Sequence, residues 1–290
     1  MKFALQSCRF CLQAHRAIYF PAGVAGNVLR GGLGSILRRL ECADDCPGRT
    51  GMNIRNCERR ATCTYARIFE PTPSVAGPSG LADWPRPFVI RGTALTTSGG
   101  PIKPGDAFCF GLNLFDTRNP ALPHFTRAIE QWAEERQANM LEVEQSPITI
   151  DLDADRAPVS RIRIDFQTPT ELKAGAELEN TNFSVLLARA RDRLSTLRSL
   201  YGPGPLEIDF RAFAERARSV TTIRSELQPV ALERRSSRTG QRHGIGGFLG
   251  FVEYEGNLTE FLPYLEAAHW TGVGRHCTWG NGQIDTEVLG

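Results

Sequence analysis

Lysine is nearly missing from this chain. Of 34 basic residues only Lys2, Lys103 and Lys173 are lysines, and the rest are arginines. Arginine presents a planar fork of donors that matches phosphates and base edges, which lysine cannot do; a GC-rich coding sequence would give the same bias. Also missing is any apolar run near the roughly 20 residues that span a bilayer, which excludes a membrane-spanning helix, and no membrane partner is expected. The opening segment Met1–Ser7 has no long apolar core of the secretory kind, so a cytoplasmic location is expected. A net charge of only +2 says nothing about partners. The hydrophobic content of 41% with 9% aromatics, in contrast, suffices for real cores, and 290 residues allow two domains.

Distribution says more than totals. Eight arginines face four acids between Asn27 and Arg67, and eight face three between Arg211 and Arg242. From Glu130 to Asp153 the balance reverses, with seven acids and Arg136 alone. Such polarity predicts one basic face that attracts polyanions, unless these are separate solvated helices. Among eight cysteines, Cys42, Cys46, Cys57 and Cys63 fall within 22 residues. They can supply four thiolates to a structural Zn²⁺, although the tight C-x2-C pairs of zinc ribbons are lacking and buried or free thiols are the alternative. No secretion signal accompanies them, so a disulfide scaffold is not expected.

Lys2–Leu12 alternates as a strand, and Val24, Val28, Leu29, Leu33, Ile36, Leu37 and Leu40 recur at helical spacing. Gly31, Gly32 and Gly34 inside that helix each cost about 1 kcal/mol relative to Ala, which implies close approach of another backbone, protein or nucleic acid. Phe88–Arg91 and Ala107–Phe115 read as strands, Pro123–Met140 as a helix, and Ile148–Leu152 and Val159–Phe166 as strands closing the first half. The second half repeats the pattern. It has helices at Asn182–Tyr201, Asp209–Arg218 and Leu258–His269, an extended Val220–Arg235, a strand at Gly247–Tyr254, and a Gly-rich end that finishes as a strand. The expected fold class is α+β, two tandem ferredoxin-like (RRM-like, βαββαβ) domains. Residues 1–168 would form an N-terminal domain with a Cys-rich insertion, and residues 169–290 a C-terminal RNA-binding domain with a Gly-rich loop.

Three stretches carry a resemblance. The first is Gly26-Asn27-Val28-Leu29-Arg30-Gly31-Gly32-Leu33-Gly34-Ser35-Ile36-Leu37-Arg38-Arg39-Leu40. The second joins Cys57, Cys63 and Tyr65 to Ile68-Phe69-Glu70, Pro85–Val89, Pro104-Gly105-Asp106 and Leu112–Phe115. The third is Gly246–Gly250 followed by Gly272–Gly282. In this order the chain resembles the CRISPR repeat-processing endoribonucleases of the RAMP superfamily. The resemblance implies binding of a precursor CRISPR RNA repeat stem-loop and cleavage by 2′-OH attack without a metal cofactor. It also implies a lasting hold on the crRNA 3′ hairpin beside other CRISPR effector subunits. The alternative is a non-catalytic crRNA-binding subunit, or a more general nucleic-acid regulator that shares the fold.

Expected RNA contacts are Arg30, Arg38 and Arg39 on the helix and Arg234, Arg235, Arg238, Arg242 and His243 in a basic hairpin. Gly272, Gly274, Arg275, His276, Gly280 and Gly282 complete the set in the last loop. There, absent side chains would let backbone N–H groups meet phosphates, and Trp279 would offer a base a stacking face. Both segments also read as a solvated hairpin and a turn that merely closes a sheet. Many relatives carry a catalytic His where this chain has Ser35, and a serine hydroxyl is no base near pH 7 without an activator. His15, with Tyr19, is the expected substitute. His124 and His269 read as ordinary helix residues.

Overall fold

The computed structural model describes residues 1–46, 57–71, 84–92, 95, 101–153, 155–172, 181–235, 240 and 242–290. Contacts divide the chain into two compact units, one of Gln6–Ser146 and the other of Met1–Leu5, Pro147–Ser236 and Gly240–Gly290. Both are ferredoxin-like α+β sandwiches.

The first unit runs β1 (Lys2–Ala14), a short β2 (Ile18–Tyr19), α1 (Ala25–Glu41), α2 (Thr64–Phe69), β3 (Phe88–Arg91), β4 (Pro101–Ile102), β5 (Ala107–Leu114), α3 (Leu122–Glu135) and β6 (Ala138–Asp151). Its sheet is ordered β3-β5-β1-β6, and β2 pairs with β4 apart from it. β1 does not keep one phase. Phe3 and Leu5 point inward, then Cys8, Phe10, Leu12 and Ala14 do, so the alternation shifts by one residue at Gln6–Ser7. The Leu29, Leu33, Ile36 and Leu37 stripe of α1 packs into the same core as Phe125, Ile129 and Trp132 of α3. Each fully buried side chain of this kind stabilises by about 1.5–3 kcal/mol. Gln137, at φ +52, turns the chain out of α3, so the helix ends before Met140 and one 14-residue strand follows.

The second unit comprises β7 (Arg161–Thr170), α4 (Phe183–Tyr201), α5 (Phe210–Arg218), β8 (Thr221–Val230), the hairpin β9 (Glu233–Arg235) and β10 (Arg242–Gly244), β11 (Gly247–Glu255), α6 (Leu262–Thr271) and β12 (Ile284–Val288). Its sheet order is β12-β7-β11-β8. α5 starts where Asp209 caps it, accepting from the N–H groups of Arg211 and Ala212 at 3.0 Å. The Val159–Phe166 segment, expected to close the first half, is β7, paired with β11 and β12 in the second sheet. Thr168 therefore lies within a strand of the second unit. Alternating Ile162, Ile164 and Phe166 announce a strand but not which sheet it joins.

A disulfide joins Cys11 and Cys109, although no disulfide scaffold was expected. These residues face each other across β1 and β5, with Cα atoms 4.2 Å apart, a pairing 98 residues long in sequence. Among the described residues no helix is long and apolar enough to cross a membrane.

Candidate functional site

The Gly-rich loop between α6 and β12 is built on left-handed backbone. Gly272, Gly274, Gly280 and Gly282 have φ of +72, +80, +90 and +71, and His276 joins them at +62. A Cβ at Gly274 would strike the Glu171 carbonyl oxygen, and one at Gly282 that of Val273. The N–H groups of Gly272, Gly280 and Gly282 donate to the carbonyls of Ala268, Cys277 and Pro169 at 2.8, 3.0 and 3.1 Å. This corrects one expectation. At these three glycines the N–H groups hold the loop's own shape and are not turned outward to phosphates.

What the loop presents is side chains. The His276 ring lies parallel to Trp279, with centroids 4.5 Å apart, and the Arg234 guanidinium of β9 stands 4.1 Å over the same indole. Trp279 is thus committed to protein partners and is not the open stacking face foreseen for a base. His243 pairs with Arg234 across the hairpin. Arg275 bonds Glu171 at 2.9 Å, and the same carboxylate lies 3.8 Å from His276 Nε2. Burial, above all, holds the His276 pKa below its ordinary value; Arg275, Arg234 and His243 push the same way and Glu171 opposes them. The guanidiniums of Arg234 and Arg275 and the imidazoles of His243 and His276 therefore lie together near one indole, with the Glu171 carboxylate beside Arg275 and His276. An arriving phosphate would offset the field of Arg275 and Arg234 and favour the protonated form of His276. Arg242 pairs with Glu233 at 3.4 Å. Arg235 belongs to β9, and Arg238 lies outside the described residues.

In the first unit, α1 carries Ser35 and Arg39 on its exposed side. Arg39 Nη1 donates to Ser35 Oγ at 3.5 Å and also pairs with Glu135. Arg30 and Arg38 are half-buried near Tyr65. Burial, then Glu70, pushes the Tyr65 hydroxyl up to about 12, and both arginines oppose that shift. The glycines of α1 answer to rings rather than to a backbone. A Cβ on Gly32 would sit 2.6 Å from Trp132 Nε1, and one on Gly34 2.7 Å from Phe69 Cε1, while Gly31 has nothing within 4 Å.

His15 is exposed and held through its backbone, whose N–H donates to the Gln137 carbonyl at 2.8 Å. Tyr19 is 62% exposed. Among the described residues no hydrogen bond joins His15, Tyr19 and Ser35, so the three do not form a ready-made proton relay. Two groups escaped the sequence reading. Arg136 lies 4.4 Å over Trp132, with Nη2 3.7 Å from where a Cβ on Gly32 would stand, and within the field of Arg16; its only sequence signal was to be the lone cation among seven acids. Glu171 stands just past the domain boundary expected at residues 168 and 169, and nothing in the sequence singled it out.

His124 bonds Glu41 at 2.8 Å and His269 bonds Asp285 at 2.6 Å, both on helices. The four clustered cysteines line one small cavity with Arg60 and Ala66. Burial foremost, then Cys63 and Cys46, raises the Cys42 thiol to about 12.

Residues 3–149 match the AF_1859_N model, an N-terminal domain, and residues 164–284 match the model of the CRISPR-associated endoribonuclease Cas6. No curated protein matches. Among solved structures, Thermus thermophilus Cas6 aligns over 99% of both chains at 13% identity with a TM-score of 0.57. A Cas6 product complex aligns over 98% of this chain and all of its own, at 14% identity and a TM-score of 0.55. A partial Cas6-RT-Cas1–Cas2 complex aligns over 99% of this chain and 46% of its own, at 11% identity and a TM-score of 0.58. At these identities the likeness is one of fold.

Proposed function

We propose a function from one premise, that the chain belongs to the Cas6 family of CRISPR repeat-processing endoribonucleases. On this reading it grips the stem-loop of a CRISPR repeat RNA and cuts it once, without a metal. The observation that carries the reading is the cluster of Arg234, His243, Arg275 and His276 around Trp279. Four titratable or cationic donors on a loop and an adjoining hairpin suit the phosphates of an RNA stem, which is read through backbone and shape.

The chemistry asks for three groups. A base takes the proton of the ribose 2′-OH, whose oxygen attacks the adjacent phosphorus. The P–O5′ bond breaks, and an acid gives the leaving 5′-oxygen a proton. A cation steadies the charge on the phosphorane. The products are a 2′,3′-cyclic phosphate and a 5′-OH. His15 takes the proton role, since a histidine imidazole can both accept and donate a proton. Arg136 and Arg16, close to its Gln137 anchor, are the cations at hand. Ser35 can donate to a phosphate oxygen but cannot act as the base. After the cut the protein stays on the 3′ hairpin and presents the guide RNA to other effector subunits.

The test is end-labelled repeat RNA in EDTA, followed for cleavage and for a band shift. One cut with a cyclic-phosphate end is expected, and His15→Ala should lower its rate at least tenfold with binding intact. Wild-type cleavage by that variant would remove His15 from the mechanism. Hairpin-specific binding with no cut by the wild-type chain would leave only the RNA grip.

A further inference from the structure

Cys42, Cys46, Cys57 and Cys63 are brought together from four different local settings. Cys42 is the C-cap of α1, and Cys46 closes a turn by donating its N–H to the Ala43 carbonyl at 3.0 Å. Cys57 precedes the 3₁₀ turn Glu58–Ala61 and Cys63 precedes α2, both in N-cap position with extended backbone. All four line the same small cavity, with Arg60 on its wall. Nothing in the RNA chemistry above uses them. We propose that these four cysteines hold one structural Zn²⁺ as thiolates, and that the ion ties the end of α1 to the start of α2.

The spacing of Cys46 and Cys57 fits this ligand. Cys46 Sγ and Cys57 Sγ are 3.8 Å apart. Two thiolates on a tetrahedral zinc, with bonds of about 2.3 Å, stand about 3.8 Å from each other. A disulfide would need about 2.05 Å. Arg60 brings positive charge to a group that would carry a net charge of −2.

The shell is not yet closed. Among the described residues no three His, Cys, Asp or Glu side chains already stand in finished metal-binding geometry. Closure asks the cysteine side chains to turn about their Cα–Cβ bonds, which carries each Sγ from one staggered well to another. Four protein ligands leave no open position on zinc, so the ion plays no part in cutting RNA. Its work is to order a polar segment that has little apolar surface to bury, as metals do in small domains.

The experiment uses the full chain, purified under reducing conditions without added zinc. Elemental analysis should find about one zinc per chain. An organomercurial titration with a metallochromic dye should release that zinc as four thiols react. Exchange with Co²⁺ should give the absorption of a tetrahedral tetrathiolate. Cys63→Ser should bring the zinc content to near zero, while Cys8→Ala, outside the cluster, should retain it. A zinc content near zero in folded wild-type protein overturns the proposal. So do mass-spectrometric pairing of the four cysteines as disulfides under reduction, and zinc that persists in a Cys42→Ser, Cys63→Ser double variant. Should the serine variants fail to fold, the wild-type release titration alone decides, and a release that tracks fewer than three thiols rejects the site. RNA cleavage is read separately, so loss of either result leaves the other standing.

Discussion

Three neighbouring glycines in α1 offer a sharp test of how this helix is built. Gly31 is exposed, and a methyl group added there would meet nothing within 4 Å. Gly31→Ala therefore gains only helix propensity, about 0.5–1 kcal/mol of stability. Gly34→Ala gains the same propensity but drives its methyl to 2.7 Å from Phe69 Cε1. Phe69 is 2% exposed and held among Tyr65, Phe88 and Phe125, with ring centroids at 5.7, 4.9 and 5.9 Å. Overpacking a site of this kind costs about 1–3 kcal/mol. The net for Gly34→Ala is a loss of up to about 2 kcal/mol once the propensity gain is subtracted. Gly32→Ala meets Trp132, fully buried and stacked on Phe20, and should behave like Gly34→Ala. Urea denaturation at unchanged slope should order the midpoints Gly31→Ala above wild type and wild type above Gly34→Ala. If Gly34→Ala proves as stable as Gly31→Ala, ring packing does not explain these glycines. A Gly31→Ala variant that folds normally but loses repeat-RNA affinity would show RNA against the open glycine.

Two further outcomes follow from the Gly-rich loop. Arg275→Gln should weaken repeat-RNA binding and flatten the slope of log K against log salt by about 0.7–0.9, the share of one phosphate contact; an unchanged slope would leave Arg275 serving Glu171 alone. His276 binds its proton less readily in the folded chain than unfolded, so between the folded pKa and the unfolded value of about 6.5 the unfolded state holds more protons. Stability should therefore be full above that value and fall as pH drops through it, and His276→Gln should remove this component. A phosphate beside the ring raises its pKa, so repeat-RNA affinity should increase from pH 7 toward pH 5.5 with proton uptake. A flat affinity profile would place the RNA away from His276.

Elements with strong local signals were legible in the sequence. Phe88–Arg91 is the strand its apolar run suggested, and α1 follows its leucine spacing to within a residue or two. α4 likewise runs over Phe183–Tyr201. Failures came where a boundary depends on one backbone angle or on a distant partner. The positive φ of Gln137 ends α3 and begins β6, although nothing in the residue type demands it. The phase shift in β1 at Gln6–Ser7 brings Phe10 and Leu12 inward, where one unbroken alternation from Phe3 and Leu5 would place Arg9 and Cys11. A one-residue slip reverses every side chain in a strand.

By itself the sequence determined the two βαββαβ plans, the basic helix and hairpin, the Gly-rich loop, and the proximity of four cysteines along the chain. All of these rest on local periodicity, composition or short spacing. Only the tertiary structure decided that Gly32 and Gly34 make room for Trp132 and Phe69, that Cys11 faces Cys109, and that Arg234 and His276 share Trp279. It also brought Glu171 to Arg275 and placed Arg136 over Trp132 near α1. The physical reason is common to these cases. Propensity and hydrophobic phase act over one or two turns of chain, whereas register and packing join residues with no sequence relation to each other. Which side chains share a site is set by that second kind of contact.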